Sequence, residues 1–451
     1  MSRTPLVVPL ALALALIAPA APALAQPLAT RDPGEPVLRL SLDEALARAT
    51  AASHRLGESS ARAEAARATA DAARLTRLPL VALQGGYTRT NHVAEFGVPQ
   101  PGGAWRVLYP DVPDNVRTRL DVQWLVYSGG RLDSLSRAAL AEADASRADL
   151  AVARADLRLD VTRAYWALVT SRETAAVVGH ALDRVRAHLA DARARLAAGF
   201  VPPSDVLSAE ARESLQRALL VDAQNAVRVG TMQLGRLIGA PPGAAIEPTE
   251  PLEEVSRSDA DAAALVAEAL GARQDRQALA GRLLAQDARR EAAAAGRLPQ
   301  VLVSSGVDYA RPNPRIFPRA AAWHDSWDVG VTANWTLFDG GRVRAETAAA
   351  DAATRALRER LADLDSAIDL DVRQRVLDID SGRAAAAAAT DAVRSAAEAR
   401  RVLQDRYEAG VASSTDVLDA QALLLQAELD RARALAGVRV AQAALDRALG
   451  R

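Results

Sequence analysis

Five histidines (His54, His92, His180, His188 and His324) are the first candidates for metal or proton chemistry. Only His180 and His188 share roughly one face of a helix, and no third ligand accompanies them, whereas a zinc site needs three or four donors. The pair therefore reads as part of a solvated helix face. Two glycine pairs, Gly129-Gly130 and Gly340-Gly341, have the backbone freedom of a phosphate loop. Each is followed by Arg, without the Gly-Lys-Ser/Thr ending that holds phosphates, so a nucleotide loop is rejected. The chain has no cysteine, which removes disulfides, thiolate metal ligands, a cysteine nucleophile and lipidation of an N-terminal cysteine. Carboxylates are abundant but mostly balanced by nearby arginines, as in the run from Arg358 to Asp365. No nucleophile–base pair emerges. Neither an enzyme nor a resident metal or cofactor is expected.

The glycine pairs mark something geometric. Tyr127-Ser128-Gly129-Gly130-Arg131 returns 211 positions later as Phe338-Asp339-Gly340-Gly341-Arg342. At the same offset, the stretch from Ala197 to Leu207 returns from Glu408 to Leu418. The Arg-Leu-Pro at Arg77 also has a counterpart, at Arg297. The chain is an internal duplication. Residues 26–238 form a first structural repeat and 259–451 a second, joined by the Pro/Gly-rich connector 239–258. Residues 1–25 read as a secretory signal, with Arg3, an apolar run from Leu6 to Ile17 and a small-x-small site at Ala23-Leu24-Ala25. No later stretch is apolar enough for a membrane helix.

Two kinds of segment surround the glycine pairs. Leu132–Ala198 and Val343–Ala409 contain no proline. In the second, Leu357, Leu361, Leu364, Ile368, Val372, Val376 and Ile379 step by three or four, as on one face of a helix. Helices of that length, about 100 Å at roughly 1.5 Å per residue, need other long helices as partners. In the windows Pro79–Gly130 and Pro299–Gly341 the period changes to two. Strands are predicted over about 78–90, 116–128, 299–311 and 326–338, near the length of a tilted membrane strand. Aromatics make up 4% of the chain, and 12 of the 16 lie in Leu78–Ser128 or Arg297–Asp339. Trp124, Tyr127, Trp327, Trp335 and Phe338 fall near strand ends, as in the girdles that meet lipid headgroups. The opposite strand faces carry Arg117, Arg119 and Asp121, as a lumen would. The first window holds an insertion (92–114) with no assigned element. Four strands cannot close a barrel, and an open edge in lipid is costly, so several copies must share one. Two, three or four copies remain open on this argument. The net charge of −1 gives no broad basic surface for nucleic acid.

This order of elements resembles the TolC-like outer-membrane efflux proteins over essentially the whole chain after the signal, from Leu40 to Gly450. The resemblance rests on the paired Leu-Pro strand starts, the aromatic-x-Gly-Gly-Arg strand ends and the paired Gly-x5-Asp-Val-Leu tips. It implies an α+β fold, mostly long α-helices forming an α-helical barrel. Four transmembrane β-strands per chain would join a trimeric twelve-stranded β-barrel. It further implies a homotrimer set in outer-membrane lipid and reaching into the periplasm, with a periplasmic adaptor and an inner-membrane pump as partners. The implied activity is passive export of small molecules; alternatives are the exit duct of type I protein secretion and, from another class, a periplasmic coiled-coil adaptor. By the resemblance Gly199 and Gly410 are the hairpin tips, and Asp416 and Asp419 an acidic entrance ring. Asp416, like Asp205, could instead only complement a helix N-terminus. Ser204, Asp205 and Tyr407 match gate-bonding positions. Ala412 stands where an Arg is common, which removes one charge-assisted bond from the expected gate.

Overall fold

The computed structural model describes residues 37–253 and 261–451. The expected signal and the end of the connector lie outside the described residues. The first half runs β1 (Leu38–Leu40), α1 (Leu42–Ala52), α2 (His54–Leu75), β2 (Leu80–Arg89), β3 (Phe96–Pro99), β4 (Trp105–Tyr109), β5 (Asp114–Tyr127), α3 (Arg131–Ala197) and α4 (Pro203–Leu237). The second half runs β6 (Ile246–Pro248), α5 (Ala262–Ala272), α6 (Gln274–Ala294), β7 (Gln300–Arg311), β8 (His324–Asn334), α7 (Arg342–Glu408) and α8 (Ser414–Leu449).

The two proline-free segments are single helices of 67 residues each. Each long helix packs on a shorter one near the sheet (α2 on α3, α6 on α7) and, along its far half, on the helix that turns back from its tip (α4 on α3, α8 on α7). Alanines such as Ala138, Ala145, Ala209 and Ala285 are buried between them, and side chains this small let helix axes lie close together. At mid-length, Val161, Tyr165, Leu168, Leu234 and Ile246 form the largest apolar cluster. Full burial of a Leu such as Leu168 contributes about 1.5–3 kcal/mol. There β1 pairs with β6 in parallel, and the Tyr165 hydroxyl donates to the Leu40 carbonyl (3.1 Å) while accepting from the Glu250 N–H (3.2 Å). The sequence reading made these flanking segments wholly helical. Strands of three residues are too short to leave a period.

The four longer strands form an antiparallel sheet in the order β2-β5-β7-β8. Leu83, Leu120, Val307 and Trp327 stand in one row across all four strands, apolar and exposed. The neighbouring row, Ala82, Asp121, Gly306 and Asp328, points to the opposite face, as the strand period requires. The period-two reading was therefore sound, with one correction at an end. β8 stops at Asn334, leaving Trp335 and Phe338 outside it, because Asn334 pairs with Gln300 and the residue before that is Pro299. Proline has no N–H to extend the ladder, and β8 has no second neighbour in the chain. The insertion, left without an element, forms the β3–β4 hairpin.

Candidate functional site

Both glycine pairs sit where the sheet becomes helix. Gly129, Gly130, Gly340 and Gly341 all have positive φ (65°, 83°, 66° and 89°), a backbone region that side chains disfavour. The residue before each pair caps the following long helix. Ser128 Oγ accepts from the Leu132 N–H (3.2 Å), and the Asp339 carboxylate accepts from Gly341 and Val343 (both 2.9 Å). These two backbone donors hold Asp339 below the usual carboxylate range. Sequence reasoning missed both caps. The signal was present, because Ser and Asp are preferred capping types. Trp124 and Trp335 do a second job besides facing outward. The Trp124 indole N–H donates to the Arg77 carbonyl (2.8 Å) and that of Trp335 to the Arg297 carbonyl (3.0 Å). Each strand exit is thereby tied to the Arg-Leu-Pro strand entrance of its own repeat. Tyr127, Trp327 and Phe338 are exposed.

The polar face of the sheet holds an ion cluster centred on Arg119. Its guanidinium donates to Asp121 (2.7 Å), to Asp328 (2.9 and 3.2 Å) and to Asp308. Arg117 donates to Asp308 as well (2.5 Å), whose side chain is 3% exposed. A buried carboxylate survives only with such partners. Gly306 makes the room: a Cβ there would overlap the Arg119 guanidinium.

At the opposite end lie the two hairpin tips. Both turn by the same backbone device. Gly199 donates to Leu196 and Phe200 to Arg195 in the first tip; Gly410 donates to Tyr407 and Val411 to Arg406 in the second. This is the Schellman arrangement, with glycine in the left-handed position. Phe200 (81%) and Val411 (64%) project into solvent. The caps differ. α4 starts at Pro203 with no side-chain cap, whereas Ser413 and Asp416 form a reciprocal capping box at the start of α8. That bonding holds Asp416 below the usual carboxylate range, so the helix-start role considered for it is realised. Asp419, one turn on, accepts from Arg212 of α4 (3.3 Å). Ser204 donates to its neighbour Asp205 (3.4 Å).

Tyr407 is 3% exposed and packed inside the chain. Its ring lies under the Arg195 guanidinium (4.6 Å) and 5.1 Å from the His188 ring. Its hydroxyl has no partner among the described residues. The structure thus brings Tyr407 to His188 and Arg195 and gives it no bond to Ser204 or Asp205. His188 corrects the sequence reading of a solvated face. It is 4% exposed and bonds Ser414 Oγ through Nε2 (2.8 Å), joining α3 to α8. Burial pushes its pKa down, reinforced by Arg195 and opposed by Asp191 and Asp205. Ala412 is half-buried in the second tip and brings no charge there.

The sequence pattern of the outer membrane efflux protein family matches residues 45–240 and 265–451, both repeats of the duplication. The chain belongs to that family. The family is one of efflux proteins and not of enzymes. The fold of this outer membrane efflux protein is that of VceC from Vibrio cholerae, an outer membrane protein (TM-score 0.78, 22% identity, 91% of this chain and 96% of that one). It is also that of the MtrE outer membrane channel of Neisseria gonorrhoeae in its open state (0.77, 20%, 91% and 88%), and of the outer-membrane channel OprN (0.77, 22%, 91% and 89%). In sequence it is 27% identical over 227 residues to the fusaric acid resistance protein FusA of Burkholderia cepacia. That match covers 50% of this chain and 43% of FusA, less than half the relative's length. Among the described residues no helix is long and apolar enough to cross a membrane, and no group of three or more His, Asp or Glu is placed to hold a metal ion.

Proposed function

We propose that the chain is the outer-membrane exit duct of a tripartite efflux system, working as a homotrimer and passing small molecules outward passively. An inner-membrane pump and a periplasmic adaptor would deliver the cargo. The observation that carries this reading is the open sheet. β2 and β8 are its edges, they run in opposite directions, and their outward rows are apolar. An open edge in lipid leaves backbone groups unpaired at several kcal/mol each. Antiparallel pairing of β8 with β2 of a second copy removes that cost, and the family's twelve strands take three copies. The aromatics at Trp124, Tyr127, Trp327, Trp335 and Phe338 supply an interfacial girdle. FusA's name favours efflux of a small toxic compound over secretion of proteins.

At the periplasmic end, Asp416 and Asp419 of three chains would form stacked acidic rings that draw in cations. Arg212 offsets part of the Asp419 charge. Purification tests the duct itself: an outer-membrane, detergent-stable trimer that conducts in planar bilayers is expected, and a soluble periplasmic protein would overturn the reading. For the rings, Asp416→Asn with Asp419→Asn should weaken cation selectivity and block by multivalent cations. Unchanged selectivity would leave Asp416 as a helix cap alone.

A further inference from the structure

The segment that joins β7 to β8, residues 312–323, folds back over the polar face of the sheet. On one side it is pinned to β8. Asn313 Nδ2 donates to the His324 carbonyl and to Ser326 Oγ (both 3.0 Å), and Arg315 donates to the Trp327 carbonyl (2.8 Å) and the Asp328 carboxylate (2.6 Å). On the other side Arg319 holds it. Its backbone N–H donates to the Leu108 carbonyl (3.3 Å), and its guanidinium donates to the Tyr109 hydroxyl (2.5 Å) and to Asn115 Oδ1 (2.7 Å). The guanidinium carbon also sits 5.0 Å from the Tyr109 ring centre. The segment is a roof fixed at both eaves, and beneath it lies a cavity of about 580 Å³, within the size range of small-molecule sites.

The lining is divided by chemistry. Arg117, Arg119 and Arg319 line it, as do Ile316 and Phe317 of the roof, and no carboxylate does. The carboxylates nearby are committed elsewhere. Asp121 and Asp328 bond Arg119, Asp328 also takes Arg315, and Asp308 is divided between Arg117 and Arg119. Four guanidiniums (Arg117, Arg119, Arg315 and Arg319) therefore face three carboxylates (Asp121, Asp308 and Asp328). The uncompensated charge is on Arg319, whose hydrogen-bond partners are a phenol and an amide. One negative charge completes the cluster. A guanidinium half-shielded from water pairs strongly and directionally with a carboxylate, and an exposed Phe317 beside it offers a surface for an apolar body. A bare inorganic anion would use only the first feature.

We propose that this cavity is a binding site for a small aromatic monocarboxylate. Its carboxylate would lie on Arg319 and Arg117, and its ring against Ile316 and Phe317. The site lies at the end of the sheet remote from the helices, so in the proposed duct it holds organic anions at the last stage of the passage. It rests on that reading for its meaning but not for its test, because binding is measured without conduction.

The test is equilibrium dialysis of 2-naphthoate against the full detergent-solubilised protein, beside the neutral analogue 2-naphthalenemethanol. Naphthoate should bind at least tenfold more tightly than the alcohol. Arg319→Gln should remove that advantage and leave the alcohol's weak binding as it was. Phe317→Ala, at an exposed ring whose loss leaves the fold intact, should weaken naphthoate several-fold while acetate binding is unmoved. Equal binding of naphthoate and the alcohol would overturn the site. So would full naphthoate affinity in both variants, or acetate competing as well as naphthoate does. If naphthoate binds as described and the protein conducts nothing in bilayers, the duct reading fails and this site stands.

Discussion

The two hairpin tips descend from one duplicated unit and turn by identical backbone bonds, yet they are fixed in different ways. The first tip has Pro202 and Pro203 where the second has Ser413 and Ser414, and Leu196 where the second has Tyr407. Only the second gains a capping box and a buried aromatic. His188, whose counterpart at the 211-residue offset is Ala399, comes from the first hairpin and closes on the second through Ser414. Duplication has kept what the backbone needs for reversal and let side chains diverge where hairpin meets hairpin. The lock between the hairpins thus belongs to the second tip, with the first supplying the key residue.

Substitutions can break that comparison, the largest effect being at Tyr407. Tyr407→Ala should destabilise the second tip by roughly 3 kcal/mol, the cost of emptying a buried aromatic site, whereas Leu196→Ala, half-buried at the matching place, should cost clearly less. Hydrogen exchange in the first turns of α8 and α4 measures both, and equal protection losses would refute the asymmetry. Next come the glycines. Gly199→Ala and Gly410→Ala should each cost about 1–2 kcal/mol, the left-handed penalty, and here the tips should agree. A difference of severalfold in opening rate would mean that the two turns are not equivalent. Ser413→Ala should lose about 1 kcal/mol through its cap, with Pro202→Ala near zero in the same exchange assay.

The smallest change at neutral pH, and the sharpest test, is His188→Gln. Burial depresses the His188 pKa below its ordinary 6.5, so the locked tip binds fewer protons than the separated one. Its contribution is fully present above that value and is lost as the pH falls below it, toward the depressed pKa. Exchange at the start of α8, corrected for its intrinsic pH dependence, should rise as the pH is lowered from 7.5 to 5.5 in the native chain and stay flat in His188→Gln. Asp416 acts in another window. Its stabilisation is present above 3.8 and fades only as the pH falls through its lowered value, so it cannot mimic the histidine's effect.

What could be read from the sequence was whatever the backbone itself demands. Positive-φ glycines, proline-free helix runs, period-two strands and the order repeated at 211 residues all leave local marks. The partners of His188 left none, since Ser414 stands 226 positions away and nothing in the helix period of α3 says which face meets α8. The Arg119 cluster was half visible. Arg117, Arg119 and Asp121 share a strand face, but Asp308 and Asp328 arrive from the other repeat through sheet register. The end of β8 was misjudged because apolar alternation continues to Leu337 while pairing is limited by Pro299. The folded-back segment 312–323 is held by side chains to four different strands, β4, β5, β7 and β8, and no local pattern announces that.

The paired indole bonds, Trp124 to Arg77 and Trp335 to Arg297, bear on where the molecule can bend. Each joins the residue leaving the sheet to the residue entering it, so the two crossings of a repeat are coupled side by side. The glycine joints, for all their backbone freedom, are braced corners, each repeat carrying the same brace.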